Sequence, residues 1–458
     1  MPEAPPVAIV GGGISGLAAA RTLLRRGRPF VLLEASDRWG GVVRSLREDG
    51  FLFEAGPDAM LTTKPDALAL VRDVGLEGRI VPTNPHQRIV YVVRNGALHP
   101  MPEGMVLGVP TRWAPLWRSD LFTLAGKLRM AFEPFVPRRR DQGEESIAAF
   151  VRRRLGREAF ERLGDALLGG IHAGDTERLS IQATFPRLVD LEAKHGSLVR
   201  GFQAAPRPPA ESSAFVSLAG GLSELVDALV AGLPAHALRL STAVEAIEPA
   251  QRGWTVRCRD GQAIAAPAVV IALPAPRSAA LLRPCAPSLA DDLEAIRFVS
   301  TAIVLLGFAR EQVTHPLDGY GLLVPRGEGL HLTAAGFFST KFPGRAPDGL
   351  VSLRAFLGGA HDPEIATADD ATLVALAVRE LAPLLGLRGE PVYRRVCRWP
   401  AATPQMEMGH RDRLARIEAT LRERPGLFVT GAGLRGTGLP DTIADATATA
   451  EAAAAVAS

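Results

Sequence analysis

The chain has 458 residues, 47% hydrophobic and 22% charged, with a formal net charge of +3. That length suits two domains around a sizeable core, and the near balance of charge, with arginine runs at 138–140 and 152–154 that lack interleaved aromatics, argues against a nucleic-acid surface. Three scattered cysteines without CxxC, and nine histidines without HExxH, exclude a disulfide framework and a recognisable metal motif.

The first residues offer neither the charged nor the apolar region of a secretory signal, and no window holds the ~18 apolar residues of a spanning helix. A cytoplasmic location is therefore expected. Val7–Val10 reads as a short apolar strand. Gly11, Gly13 and Gly16 follow it in GxGxxG spacing, with Gly12, Ile14 and Ser15 between them. Ser15 to Arg26 reads as a helix ended by Gly27, and Phe30–Leu33 as a second strand, followed by Glu34 and Ala35. In this order the parts fit a dinucleotide site. Gly11 makes the tight turn, Gly13 admits the pyrophosphate, Gly16 lets helix and strand pack closely, and Glu34 can bind a ribose diol. NAD and FAD can share this fingerprint.

Residues 60–100 read as mixed helix and strand, with a hairpin at 88–102 turning on Asn95-Gly96. Residues 105–200 look largely helical, and 145–175 has apolar positions at helical spacing. Residues 202–215 read as a surface loop, 220–233 as a helix and 238–273 as several strands, of which 266–274 returns to the first sheet. Phe298–Ala309 reads as a buried strand, 298–360 as mostly strand, and 370–386 as a helix. Near the C-terminus a strand, Leu427–Val429, meets a second glycine-rich loop, 431–438. Pro440 and Asp441 suit the first turn of a helix running on from Thr442 to Val456.

The segment 37–45, DRWGGVVRS, resembles the FAD-containing amine-oxidase-like superfamily, with Arg38, Gly40 and Gly41 in its R-x-G-G pattern. FEAGPDA, 53–59, is similar to that superfamily's turn beside the flavin ring. Four later stretches resemble one family within it, the oxygen-dependent protoporphyrinogen and coproporphyrinogen III oxidases: GGIHAGDTERLSIQATFPRLVDLEAKHGSLVRG (169–201), KFPGRAPDG (341–349), RWPAATPQMEMGH (398–410) and GLRGTGLPDTI (433–443).

That resemblance implies an α/β flavoprotein. A Rossmann-like FAD-binding domain would span 1–85, 216–285 and 396–458, a mixed-sheet substrate domain 86–104 and 286–395, and a helical lobe 105–215. It implies stepwise oxidation of a porphyrinogen to a porphyrin by noncovalent FAD, with O2 reduced to H2O2. FAD contacts would be Gly11, Gly12, Gly13, Ile14, Ser15, Gly16, Glu34, Ala35, Gly41, Arg44, Gly56, Pro57, Asp58, Ala59, Val244 and Trp399. The second glycine loop would aim its helix N-terminus at the flavin ring through Thr437, Gly438 and Leu439. Arg88 and Lys64 would hold propionates, and the Gly170 backbone would face the macrocycle. No catalytic side chain is singled out.

Met406 and Leu434 stand where members commonly have tyrosine. Aromatic residues and arginines in 106–140 read as a substrate-domain core with a basic outside, or else as an interfacial surface; the resemblance is compatible with peripheral contact at the inner face of the membrane and with hand-over of product to the next haem enzyme. The competing readings are an amine oxidase or carotenoid desaturase of the same superfamily, and a flavin- or tetrapyrrole-binding protein without turnover.

Overall fold

A computed structural model describes residues 5–141, 143–205 and 213–457. Its centre is a five-stranded, fully parallel sheet ordered Leu238–Arg239, Phe30–Leu33, Val7–Val10, Val269–Ile271 and Leu427–Val429. The inner strands are buried on both faces, which is why they read as short unbroken apolar runs. Helices Ile14–Arg25 and Leu439–Val456 cover one face, sharing a core of Leu17, Leu23, Ile443, Ala446 and Ala450. The small residues allow close approach: a Cβ added to Gly16 would lie 1.8 Å from the Gly11 carbonyl oxygen. The other face is covered by the antiparallel strands Val244–Pro249, Trp254–Cys258 and Ala263–Ala266 and by helices Ala275–Leu282 and Pro287–Glu294.

The second body is a seven-stranded mixed sheet, ordered Tyr393–Pro404, Phe298–Ala309, Leu350–Gly358, Leu332–Phe337, Gly319–Leu323, Ile89–Arg94 and Ala97–Pro100. Phe298–Ala309 has the bounds expected of it. The Ile89–Arg94/Ala97–Pro100 hairpin turns on Asn95 and Gly96, both at positive φ (51° and 71°), as an Asn-Gly turn requires. Tyr393–Pro404 runs across the domain boundary expected at 395/396. Helix Asp370–Leu385 packs on one face of this sheet. The other face meets Phe51 and Phe53, whose strand Phe51–Glu54 leads straight into the turn at 55–59.

Where a helical lobe is expected at 105–215, the short strands Met105–Val106 and Val109–Pro110 come first and the described residues from Trp113 to Ala204 are mostly helical. One stretch, Phe160–Gly169, is wound as a π-helix that opens into the short helix Gly170–His172. The loop expected at 202–215 is shorter at both ends than the reading held. Helix Leu198–Ala204 takes its first residues because Phe202 packs into the lobe core, and strand Phe215–Leu218 takes its last; residues 206–212 lie outside the described residues. The last helix begins at Leu439, one turn before Thr442, with Pro440 in its first turn.

Candidate active site

Both glycine-rich loops leave the carboxyl ends of parallel strands, and they meet there. A Cβ on Gly431 would come within 4.0 Å of Ser15 Oγ. Such a crevice is where open parallel sheets bind ligands. In the first loop, Gly13 faces Gly41 across a bare gap, the built Cβ of Gly13 meeting only Gly41 Cα at 3.9 Å. The Gly40 N–H donates to the Gly12 carbonyl at 2.9 Å, fixing the two backbones side by side. The Gly12 N–H donates to Glu34 Oε2 (2.7 Å) and the Ser36 N–H to Oε1 (2.8 Å), so the loop itself orients the acid. Residues 241–244 run beside it, the Thr242 N–H donating to the Glu34 carbonyl at 2.8 Å, and this brings Val244 to the same end.

At the far end of the crevice lies a cavity of about 560 Å³ between the two bodies and the helical lobe. Gly56, Pro57 and Asp58 form one wall, with Trp399 beside them. Gly170 and Ile171 enter from the lobe; Val90, Tyr320, Leu323 and Phe356 come from the mixed sheet, and Phe338 from the short helix Phe338–Lys341 that follows one of its strands. The turn is tightly held. Trp399 Nε1 donates to the Ala55 carbonyl at 2.5 Å, and Arg354 Nη2 donates to the Gly56 carbonyl at 2.6 Å. No Cβ fits at Gly56, where it would lie 2.0 Å from the Val42 oxygen. The Ala55 N–H donates to the Arg44 carbonyl at 2.8 Å, tying the R-x-G-G segment to the same turn.

A profile of the flavin-containing amine oxidoreductases matches residues 14–457. The chain belongs to this family. It is 34% identical over 452 residues, 95% of either chain, to the coproporphyrinogen III oxidase of Bacillus subtilis (strain 168). It is 36% identical over 476 residues to that of Propionibacterium freudenreichii subsp. freudenreichii, covering 96% of this chain and 88% of the relative. The chloroplastic protoporphyrinogen oxidase of Nicotiana tabacum is 32% identical, with 94% and 82% covered. A crystal structure from Exiguobacterium sp. 255-15 superposes with a TM-score of 0.87 at 32% identity, covering 99% of both chains.

For a flavin of this family the geometry fits in three places: a glycine-lined gap at Gly13 and Gly41 beside an oriented acid, a braced backbone turn at 55–59, and the N-terminus of Leu439–Val456. That N-terminus abuts the helical lobe, with Thr437 Oγ1 3.4 Å from His172 Nδ1. Of the two residues that replace tyrosines, Met406 and Leu434 are both buried, and His410 Nε2 lies 2.8 Å from the Leu434 carbonyl. Apolar bulk has taken over the packing there.

Two expected substrate contacts stand apart. Lys64 is not on the cavity wall; it forms an ion pair with Asp441, 2.6 Å from either carboxylate oxygen, at the start of the last helix. The opposite charge that suits a helix N-terminus is what captures it. Arg88 is exposed and precedes Val90, which does line the cavity; among the described residues no ion pair engages it.

The structure adds residues the sequence reading passed over. Lys341 and Arg354 both meet Asp58 Oδ2, at 2.9 Å each. Burial alone would push the Asp58 carboxyl up, but these two cations outweigh it and hold it below the usual carboxylate range. His172 is buried, which lowers its pKa to about 4, and its Nε2 has no partner among the described residues. Lys341 had a signal, being one of only four lysines in the chain and the first residue of a quoted motif.

Proposed function

We propose that this protein is an FAD-dependent porphyrinogen oxidase of haem biosynthesis, taking coproporphyrinogen III or protoporphyrinogen IX to the porphyrin, with O2 reduced to H2O2. The carrying observation is the end-to-end similarity to proteins named for that oxidation, at 34% and 36% identity. The cavity supports it, being largely apolar and bounded by the braced turn at 55–59. The chemistry FAD would supply there is acceptance of a hydride from a methylene bridge of the macrocycle.

The chain's own task is then positioning. Gly11–Gly16, Glu34, Ala35, Gly41, Arg44 and Val244 would hold the dinucleotide. Gly56–Ala59, Trp399, Thr437, Gly438 and Leu439 would present its ring to the cavity. The positive end of the Leu439–Val456 helix favours negative charge beside it. Among the described residues the lining holds no histidine, cysteine or glutamate, and Asp58 is tied to two cations, which makes it a poor proton acceptor. Val90, Ile303, Leu323 and Phe356 exclude water from the reduced macrocycle. Arg88, beside the cavity strand, stays a proposed propionate contact.

Peripheral membrane contact belongs to the same proposal. No helix among the described residues is long and apolar enough to cross a membrane. Leu124, Leu128, Phe132 and Phe135 are nevertheless 56–67% exposed on the helical lobe, with Trp117 and Lys127 nearby. A poorly soluble product would be released to that surface or handed directly to the next enzyme.

The test is turnover by the purified flavoprotein. Acid denaturation should release FAD into the supernatant. Coproporphyrinogen III or protoporphyrinogen IX added under air should give growing porphyrin fluorescence together with peroxide. Bound flavin with oxidation of neither compound would sink the reading.

A further inference from the structure

Among the described residues lining the cavity, Asp58 and Lys341 are the only ones with acidic or basic side chains. Lys341 Nζ donates to Asp58 Oδ2 at 2.9 Å, and Arg354 Nη1 reaches the same oxygen at 2.9 Å. One carboxylate thus faces two cations, leaving a surplus positive charge at the end of an otherwise neutral pocket. Arg354 is the sealed partner: its side chain is 2% exposed and it also holds the Gly56 carbonyl. Lys341 is the one that meets the cavity, and its side chain is 17% exposed.

An ammonium has three donors. Asp58 takes one, and among the described residues no second acceptor reaches Lys341. The rings of Phe215 and Phe342, 5.7 and 5.3 Å from Nζ, steady the charge without consuming a donor. A surplus charge in so apolar a pocket is costly until an anion completes it. The anion that fits is a carboxylate on a flat ligand seated against the turn at 55–59.

We propose that Lys341 is the cavity's specificity residue, receiving one propionate of the tetrapyrrole while Asp58 and Arg354 hold its ammonium in place. This rests on the porphyrinogen reading above. Coproporphyrinogen III carries a propionate on every pyrrole, so some carboxylate faces Lys341 whichever edge is seated there. Protoporphyrinogen IX carries propionates on only half its rings. A seating that turns those two away from Lys341 would set a vinyl group against it and leave the charge unpaired. Lys341 therefore favours coproporphyrinogen III.

The experiment compares wild-type holoprotein with Lys341→Met and Lys341→Arg on both porphyrinogens. Lys341→Met should raise KM for coproporphyrinogen III roughly ten- to hundredfold, the loss of a charge-assisted hydrogen bond. Its kcat should stay within about threefold, and KM for protoporphyrinogen IX should move much less. Lys341→Arg should recover most of the loss. A merely structural lysine would instead cost flavin content and affect both substrates alike, and that pattern, or unchanged KM values, overturns the proposal. Wild-type protein that oxidises neither compound brings down the parent reading instead. A fluorescence titration with coproporphyrin III then still decides Lys341, since equal Kd values for wild type and Lys341→Met would refute it.

Discussion

Two of the chain's ion clusters, one sealed in the helical lobe and one beside the cavity, are built differently. In the helical lobe, Arg154 and Glu133 are both 0% exposed. Arg154 Nε donates to Glu133 Oε1 at 2.8 Å, and the carboxylate also accepts from the Ser197 hydroxyl (2.5 Å) and the Leu198 and Val199 N–H groups (2.9 and 3.3 Å). The remaining guanidinium donors reach the carbonyls of Val136 and Gly196. Every part is satisfied by protein. Beside the cavity, by contrast, Lys341 spends one donor on Asp58, and Arg354 Nε has no partner among the described residues. A closed cluster fixes a fold, because each partner makes the other tolerable in a low dielectric. An open one beside a cavity keeps capacity for a ligand.

The largest test breaks the closed cluster. Arg154→Met leaves Glu133 buried and unpaired, so denaturant unfolding should show a loss of about 3–5 kcal/mol. The Glu133→Gln/Arg154→Met double variant should recover part of it. Lys341→Met, on the half-open cluster, should cost about 1 kcal/mol or less. Equal losses at Arg154 and Lys341 would erase the distinction between the two clusters.

Glu54 sharpens the contrast. Like Glu133 it is 0% exposed, and it accepts from the Leu222 N–H and the Ser45 hydroxyl, each at 2.8 Å. Among the described residues no cation forms an ion pair with it; Arg345 and Arg354 act only at longer range. Burial therefore prevails and raises its pKa from 4.5 to about 7. A carboxyl raised on folding contributes stability that is fully present below its unfolded value and is lost as pH rises through the folded one. The span corresponds to something on the order of 3 kcal/mol. Between pH of about 5 and about 8 the wild type should lose stability relative to Glu54→Gln, read as converging or crossing unfolding curves. Parallel curves would mean that folding leaves the Glu54 carboxyl unshifted.

These clusters also show what a sequence gives up and what it keeps. The first glycine loop is legible because strand, turn, helix and acid lie within thirty residues and each has a local signature. Phe298–Ala309 is legible because twelve residues run without a charge. Tyr393–Pro404 is not, since Pro400 and the arginines at 394, 395 and 398 argue against a central strand. It lies at the sheet edge, where a proline's missing N–H costs nothing. The Asp58–Lys341–Arg354 cluster joins positions hundreds of residues apart, and no local pattern announces it. The Lys64 ion pair is hidden for the same reason: its partner, Asp441, comes from the opposite end of the chain.

The smallest effect on stability is expected on the outside of the lobe whose interior the Arg154–Glu133 pair secures. Phe132 and Phe135 pack on each other with ring centroids 5.3 Å apart, yet they are 58% and 66% exposed. They bury little, so Phe132→Ser with Phe135→Ser should shift unfolding by no more than about 0.5 kcal/mol for each substitution. Leu124 and Leu128, one helical turn apart, extend the same apolar patch, and Lys127 lies between them in the sequence. If that patch meets lipid, sedimentation with vesicles containing an anionic lipid should carry down the wild type and much less of the double variant, and added salt should weaken only the electrostatic share. A double variant that unfolds early would place these rings in the lobe's stabilising core. Equal sedimentation, or none by the wild type, would leave the exposed face without a membrane role while the sealed cluster beneath it keeps its own.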